Sequence, residues 1–177
     1  MKTLPAAMAC GLVLGFAAAA QAGEVTVKSM HLCCGQCDKL AAEALKDVDG
    51  VSGAKVDRPG KTVTFTATDD KAAEAGIKAL AEEGFYGKAT HGGKEVKFPE
   101  SGAKEGDTSD SLTLSQVHLC CGMCVTAVKK ALDDLDGVEK VEADRDERTV
   151  TVSGKGIKTS AAVKALNDAG FYAKVKS

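Results

Sequence analysis

Six of the seven cysteines in this chain fall in two short segments of nearly identical sequence. Residues 31–37 read HLCCGQC and residues 118–124 read HLCCGMC. The i, i+3 and i, i+4 spacings within each segment place the three sulfurs on one side of a helical turn, with Cβ atoms about 5–6 Å apart. That spacing suits a soft metal ion bound by thiolates. Thiolates are also the nucleophiles of thiol–disulfide exchange, so the pattern predicts a thiol site and leaves its use open.

Each segment offers a small set of candidate ligands. The candidate metal ligands are the cysteines of the two segments, namely Cys33, Cys34, Cys37, Cys120, Cys121 and Cys124. His31 and His118 begin the two segments, and because they recur at the same place we count them as additional candidate ligands. If a helix begins within each segment, its free N–H groups and its dipole favour thiolate over thiol.

Three other interpretations of the cysteines remain open at this point. Cys34 and Cys37 could form a structural disulfide, which would leave Cys33 as an unpaired thiol. A structural zinc ion with His31 as fourth ligand is a second interpretation, although zinc domains of this size usually draw ligands from two separated segments. In a third interpretation, the two domains face each other across the linker and share one cluster of six sulfurs.

After its N-terminal segment, the chain consists of two copies of one sequence unit. The cysteine segment recurs at an offset of 87 positions, and so does the triplet DGV, at residues 49–51 and 136–138. After a one-residue deletion, the triplet GFY at residues 84–86 recurs at 170–172. Because the matches extend over the whole unit, they indicate duplicated domains rather than a duplicated motif.

The hydrophobic periodicity of each unit changes in a fixed order. In the first unit, alternation at Val25 and Val27 predicts a strand, and apolar residues on one face predict a helix from Cys37 to Val48. Residues 51–57 and 62–67 then predict a hairpin, and a second helix and a short last strand follow. The order βαββαβ predicts an α+β fold of two tandem ferredoxin-like domains, each an antiparallel sheet with two helices on one face.

Composition and charge set the domain organisation. Residues 1–22 have a basic start, an apolar run that includes Cys10 and a small-x-small end at Ala22, which predicts a cleaved signal peptide and a periplasmic or secreted protein. The segment between the copies is rich in Gly, Lys, Glu, Ser and Asp, which predicts a flexible linker. The predicted parts are a signal peptide (1–22), domain 1 (23–92), a linker (93–110) and domain 2 (111–177).

Several classes of function are disfavoured by the sequence. A formal net charge of −2 argues against a nucleic-acid-binding protein, which normally has a basic face. Beyond the signal peptide the sequence has no segment that could span a membrane. The motifs suggest no general base, activated water or substrate cleft, so we expect a binding protein rather than an enzyme.

These residues and motifs resemble the heavy-metal-associated domain family over nearly the whole mature chain, twice. The resemblance implies the βαββαβ fold and binding of Cu(I) or another soft ion through a CxxC between the first strand and the first helix. It implies that Cys34 and Cys37, with Cys121 and Cys124, carry the metal. The sequence departs from the family pattern in the extra cysteine before each CxxC. The combination of a signal peptide with such a domain also resembles the periplasmic mercury-binding proteins of this family, whose site is a plain CxxC.

The function that we predict is binding of a soft metal ion outside the cytoplasm, for sequestration or transfer. Cu(I) is the metal that we expect, with Zn(II) or Hg(II) as alternatives. The partners expected are the metal ion and another metal-binding protein or metal-transporter domain. A thiol–disulfide oxidoreductase that uses the CGxC pairs is the alternative function, although the element order is not that of thioredoxin.

Overall fold

The structure, a computed structural model, describes residues 22–176. The predicted signal peptide, with Cys10, lies outside the described residues except for Ala22.

The first unit is a five-stranded antiparallel sheet with two helices. Its elements are β1 (Gly23–Lys28), α1 (Gly35–Lys46), β2 (Val51–Asp57), β3 (Thr62–Ala67), α2 (Asp70–Glu82), β4 (Lys88–His91) and β5 (Lys94–Val96). The strand order is β2-β3-β1-β4-β5, which places the strand that precedes the first cysteine segment at the centre of the sheet.

The second unit repeats this arrangement in a four-stranded sheet of order β7-β8-β6-β9. Its elements are β6 (Thr108–Ser115), α3 (Gly122–Asp133), β7 (Val138–Asp144), β8 (Thr149–Lys158), α4 (Thr159–Asp168) and β9 (Lys174–Val175). The prediction of two βαββαβ units is confirmed, and the hairpin strands of the first unit have the predicted bounds.

Local chemistry accounts for the helix and hairpin boundaries. The Asp69 carboxylate accepts a hydrogen bond from the backbone N–H of Ala72 at 2.7 Å, which caps α2. Gly50, between α1 and β2, has a φ of +77°, and Gly137 has a φ of +83° at the equivalent turn of the second unit. Glycine adopts this left-handed conformation without the steric cost that other residues meet.

Each unit has a core between its sheet and its helices. In the first unit Val25 and Phe65, which are paired across β1 and β3, are buried against Ile77 of α2. Leu114 of β6 and Leu132 of α3 have no exposed surface in the second unit. Each such side chain contributes roughly 1.5–3 kcal/mol through burial, and these cores hold the strand ends from which the cysteine segments project.

The segment predicted to be a flexible linker contains ordered backbone contacts. Residues 93–110 include β5, which pairs with β4, and the first residues of β6. Between those strands, the backbone N–H of Val175 donates to the carbonyl of Ser101 at 2.8 Å, and that of Thr159 donates to the carbonyl of Asp107 at 3.0 Å. The segment therefore joins the first sheet at one end and lies along the second unit at the other.

The two units contact each other through their glycine–aromatic segments. The backbone N–H of Tyr86 donates to the carbonyl of Gly170 at 3.2 Å, and the N–H of Tyr172 donates to the carbonyl of Gly84 at 2.9 Å. Each contact repeats the other with the roles of the units exchanged. The cysteine segments of the two units are thereby placed face to face.

Candidate metal centre

Each cysteine segment connects a central strand to the first helix of its unit. Cys34 is the N-cap residue of α1 and Cys121 that of α3, and both have an extended backbone, with φ of −152° and −151°. The backbone N–H of Cys37 donates to the carbonyl of Cys34 at 3.0 Å, and Cys124 repeats this contact with Cys121 at 3.1 Å. The thiols thus lie at helix N-termini, where the helix dipole favours negative charge.

All six cysteines of the two segments lie together as free thiols. Within the units, the Sγ–Sγ distances are 3.7 Å for Cys34–Cys37, 3.8 Å for Cys121–Cys124, and 3.6 Å for both Cys33–Cys37 and Cys120–Cys124. Between the units they are 3.5 Å for Cys33–Cys121, Cys33–Cys124 and Cys37–Cys120, and 3.7 Å for Cys34–Cys120. Each of these four contacts between units involves Cys33 or Cys120, the cysteines that precede the CxxC pairs.

The sulfurs form two groups of four whose members all lie within 4.8 Å of one another. One group is Cys33, Cys34, Cys120 and Cys121, and the other is Cys33, Cys37, Cys120 and Cys124. Four thiolates around an ion at about 2.3 Å are separated by about 3.8 Å, close to the short distances observed. The arrangement can therefore surround a thiophilic ion without rebuilding the loops.

Burial and mutual contact set the protonation of the thiols. Burial raises the pKa of Cys33 to about 12 and also raises the pKa of Cys120. The neighbouring Cys37 sulfur raises the pKa of Cys124, and burial adds to this rise. The neighbouring Cys124 thiol lowers the pKa of Cys37, although burial opposes the change. A metal ion that binds to these sulfurs must displace the protons of the thiols.

The two segment histidines lie between the units. The His31 ring stacks on Phe171 and the His118 ring on Phe85, with centroids 4.3 and 4.1 Å apart. His118 Nδ1 lies 3.2 Å from the carbonyl oxygen of Glu83, while Nε2 of both histidines is buried without a hydrogen-bond partner. Neither four-sulfur group includes a histidine, so the structure shows these rings as interface residues beside the sulfurs, and a ligand role stays a prediction.

The side chain of Arg145 supports the second cysteine segment. Arg145 donates to the carbonyl of Leu119 at 3.3 Å and to the carbonyl of Cys120 at 2.9 Å. Its counterpart Arg58 binds the carboxylate of Asp38 through Nε at 3.1 Å. The recurrence of Asp-Arg at the hairpin of both units was the only sequence signal for this role.

The acidic partners of those pairs do stabilise the hairpin turns. Asp57 accepts a hydrogen bond from the backbone N–H of Gly60 at 3.1 Å. Asp144 accepts from the backbone N–H groups of Asp146 and Glu147 at 2.9 and 3.0 Å. Each aspartate therefore stabilises its hairpin turn, whereas the arginine next to it binds the adjacent helix in the first unit and the cysteine loop in the second.

The chain is similar in sequence to known proteins. The sequence model of the heavy-metal-associated domain matches residues 113–171. A mercuric transport protein periplasmic component from Pseudomonas fluorescens is 37% identical over 71 residues, which cover 39% of this chain and 78% of that protein. The chain belongs to the heavy-metal-associated domain family.

Other similar proteins differ in how much of this heavy-metal-associated domain protein they cover. A copper-exporting P-type ATPase from Vibrio cholerae is 28% identical over 165 residues, which are 86% of this chain and 18% of the ATPase. The structure of oxidized MerP from Ralstonia metallidurans is 32% identical over 40% of this chain and all of that one, with a TM-score of 0.36. The N-terminal soluble domains of Bacillus subtilis CopA are 20% identical, cover 89% of this chain and 95% of that one, and give a TM-score of 0.33.

Among residues 22–176, no helix is long and apolar enough to cross a membrane.

Proposed function

We propose that this protein binds a soft metal ion outside the cytoplasm and holds it through the thiolates of the two cysteine segments. The observation that carries the proposal is the convergence of six sulfurs from two units, with Sγ–Sγ distances of 3.5–3.8 Å. Bringing so many thiols together is costly without an ion, because their negative charges repel once protons are lost. A bound cation removes that repulsion.

The proposal treats both units as heavy-metal-associated domains. The family match covers residues 113–171, within the second unit. The first unit has the same order of the first five elements, the same CCGxC loop and an N-cap cysteine with the same backbone conformation. These features support a second, tandem copy.

Cu(I) is the metal that we propose, with Zn(II) and Hg(II) as the alternatives. Thiolate ligands favour thiophilic ions, of which Cu(I) and Zn(II) are two examples. Two sulfurs on opposite sides of an ion would lie about 4.6 Å apart, twice the bond length, so the shorter distances here favour three or four ligands rather than a linear pair. The similar protein that spans both units is named as a copper exporter, which supports copper.

The same comparisons support the place of action and the partner that we propose. The predicted signal peptide and the mercuric relatives, whose name places them in the periplasm, support a periplasmic location. The similarity to a metal-exporting ATPase supports a metal-transporter domain or another metal-binding protein as partner. We propose sequestration or transfer of the ion, and no catalytic reaction.

Anaerobic metal loading of the mature chain tests this function. We expect wild-type protein to bind Cu(I) and to lose thiol reactivity as it does so, whereas a variant with all six segment cysteines replaced by Ser binds none. The matched control is Met123→Leu, because Met123 is a sulfur-containing residue of the same loop that is 55% exposed; its Cu(I) content should match wild type. No Cu(I), Zn(II) or Hg(II) bound by the wild-type chain would overturn the proposal.

An activity assay separates this function from the oxidoreductase alternative. The same preparation, reduced and metal-free, is assayed for insulin reduction beside a known thiol–disulfide oxidoreductase. Turnover comparable to that enzyme would overturn the binding function in favour of redox catalysis, and we expect none above the uncatalysed rate.

A further inference from the structure

The short contacts among the six sulfurs close two triangles. One is formed by Cys34, Cys37 and Cys120, with edges of 3.7, 3.5 and 3.7 Å. The other is formed by Cys33, Cys121 and Cys124, with edges of 3.5, 3.5 and 3.8 Å. Each triangle combines the CxxC pair of one unit with the preceding cysteine of the other.

We propose, on the basis of the metal-binding function above, that each unit completes the metal site of the other. The ion at the first CxxC takes Cys120 of the second unit as its third ligand, and the ion at the second CxxC takes Cys33 of the first. The chain would then have two three-thiolate sites that exist only while the two units are docked.

The size of the triangles fits a three-coordinate ion. A triangle with edges near 3.7 Å has its centre about 2.1 Å from each corner, and an ion slightly out of the plane lies about 2.3 Å from each sulfur, the usual metal–thiolate distance. Cu(I) is the soft ion of our proposal, and three thiolates satisfy it without a further ligand.

The contacts within each loop do not supply a third ligand. Cys33 and Cys34 both face the second unit, where Cys33 Sγ lies 3.5 Å from the sulfurs of Cys121 and Cys124 and Cys34 Sγ lies 3.7 Å from that of Cys120. The short contacts within the first loop, Cys33–Cys37 and Cys34–Cys37, share one sulfur and form an open pair rather than a closed triangle.

The contact between the units is close enough to hold this register. A Cβ on Gly84 would lie 2.3 Å from the backbone nitrogen of His118, and one on Gly170 would lie 2.4 Å from that of His31. The residues so approached are the first of each cysteine segment. The position of each segment relative to the other unit is therefore fixed by backbone contact rather than by the ion alone.

A pair of substitutions in one background distinguishes a ligand from the other unit from one in the same loop. The background, Cys121→Ser with Cys124→Ser, leaves the first CxxC with Cys33 in its own loop and Cys120 opposite. Cu(I) affinity is measured by competition with a chromophoric chelator. We expect Cys120→Ser to weaken Cu(I) binding at least about tenfold, because even the loss of a residue that only hydrogen-bonds to a metal ligand can weaken binding by that factor. Cys33→Ser is the matched control and should change the affinity by less than about twofold.

The outcomes separate this inference from the function on which it rests. A loss on Cys33→Ser that equals or exceeds the loss on Cys120→Ser would overturn the exchange of ligands while leaving metal binding intact. Absence of Cu(I) binding by the wild-type chain would instead remove the function itself.

A measurement with a single substitution covers the case in which the background does not fold, since Cys124 is fully buried. In Cu(I)-loaded Cys33→Ser, alkylation mapped by mass spectrometry should show that the partly exposed Cys121 loses protection while the partly exposed Cys34 keeps it. Loss of protection at Cys34 with Cys121 still protected would overturn the proposal.

Discussion

His118 of the second unit lies against Phe85 of the first, with ring centroids 4.1 Å apart and ring planes inclined by 28°. His31 repeats the contact on Phe171 at 4.3 Å and 27°. Each histidine begins a cysteine segment, and each phenylalanine belongs to the glycine–aromatic segment of the opposite unit. Thiol placement and docking of the units are thus properties of the same few residues.

The stacked pair should contribute measurably to stability. Phe85 has no exposed surface, so Phe85→Ala should lower the free energy of unfolding by about 3–5 kcal/mol. In a double-mutant cycle with His118→Ala, measured by urea unfolding, we expect a coupling energy of about 0.5–1.5 kcal/mol. Additivity of the two substitutions within about 0.5 kcal/mol would show that the rings do not interact.

A methyl group on Gly84 should separate the units. Gly84→Ala places a Cβ 2.3 Å from the backbone nitrogen of His118, and the residue has a φ of +80°. Gly93→Ala is the matched control, because Gly93 has a φ of +79° with no atom within 4 Å of its Cβ position. Both substitutions carry the left-handed penalty of about 1–2 kcal/mol.

Only Gly84→Ala also has to move the second unit, so it alone should weaken Cu(I) binding and enlarge the radius of gyration in small-angle scattering. Equal effects of the two substitutions on both measurements would contradict close docking at Gly84.

The fold of each unit could be predicted because the hydrophobic periodicity of its elements and the duplication of the unit can both be seen directly in the sequence. The strand Thr62–Ala67 alternates polar and apolar residues, and the equivalent segments of this hairpin recur in the second copy. The composition of residues 93–110 predicted a linker, but composition does not reveal backbone contacts such as that between Val175 and Ser101, which depend on where the second unit lies.

The candidate site could be predicted only as a set of residue types. The spacing of the cysteines identified every sulfur of the cluster, and a shared cluster was one of the interpretations. Which sulfurs face each other depends on the docking of two units, and that docking rests on contacts such as Tyr172 with Gly84 that no spacing encodes. The role of Arg145 could not be predicted for a related reason, because its hydrogen bonds to Leu119 and Cys120 join residues about 25 positions apart.

Arg145 should act on metal binding through the position of Cys120. Arg145→Gln removes the charged donor to the Leu119 and Cys120 carbonyls. A hydrogen bond from a charged group contributes about 1.5–3 kcal/mol to stability, and less at a solvent-exposed site such as this one. We expect weaker Cu(I) binding with little loss of helix content by circular dichroism. Arg58→Gln is the control, since Arg58 binds Asp38 instead of the cysteine loop, and an equal loss in both variants would argue against positioning by Arg145.

Thiol alkylation should follow burial rather than thiolate character in the metal-free protein. Cys37 and Cys124 have no exposed surface, whereas Cys34 and Cys121 are partly exposed. Although the neighbouring Cys124 thiol lowers the pKa of Cys37, the reagent must first reach the sulfur. Timed iodoacetamide labelling should therefore modify Cys34 and Cys121 first. Labelling of Cys37 before Cys34 would mean that the units open faster than the reagent reacts.

Release of the ion should be limited by the third thiolate. A dithiol acceptor can remove an ion from a plain CxxC by ligand exchange, because the ion has an open coordination position. An ion held by both units has such a position only after Cys33 or Cys120 has dissociated. In Cys33→Ser with Cys120→Ser the two CxxC pairs remain but the ligands from the opposite unit are gone, so transfer of Cu(I) to a dithiol chelator, followed by stopped-flow absorbance, should be at least about tenfold faster than in wild type. The control is Ser29→Ala with Ser115→Ala, a change outside both cysteine segments, which should leave the transfer rate unchanged. Equal rates in wild type and the double cysteine variant would show that the extra cysteines do not retain the ion.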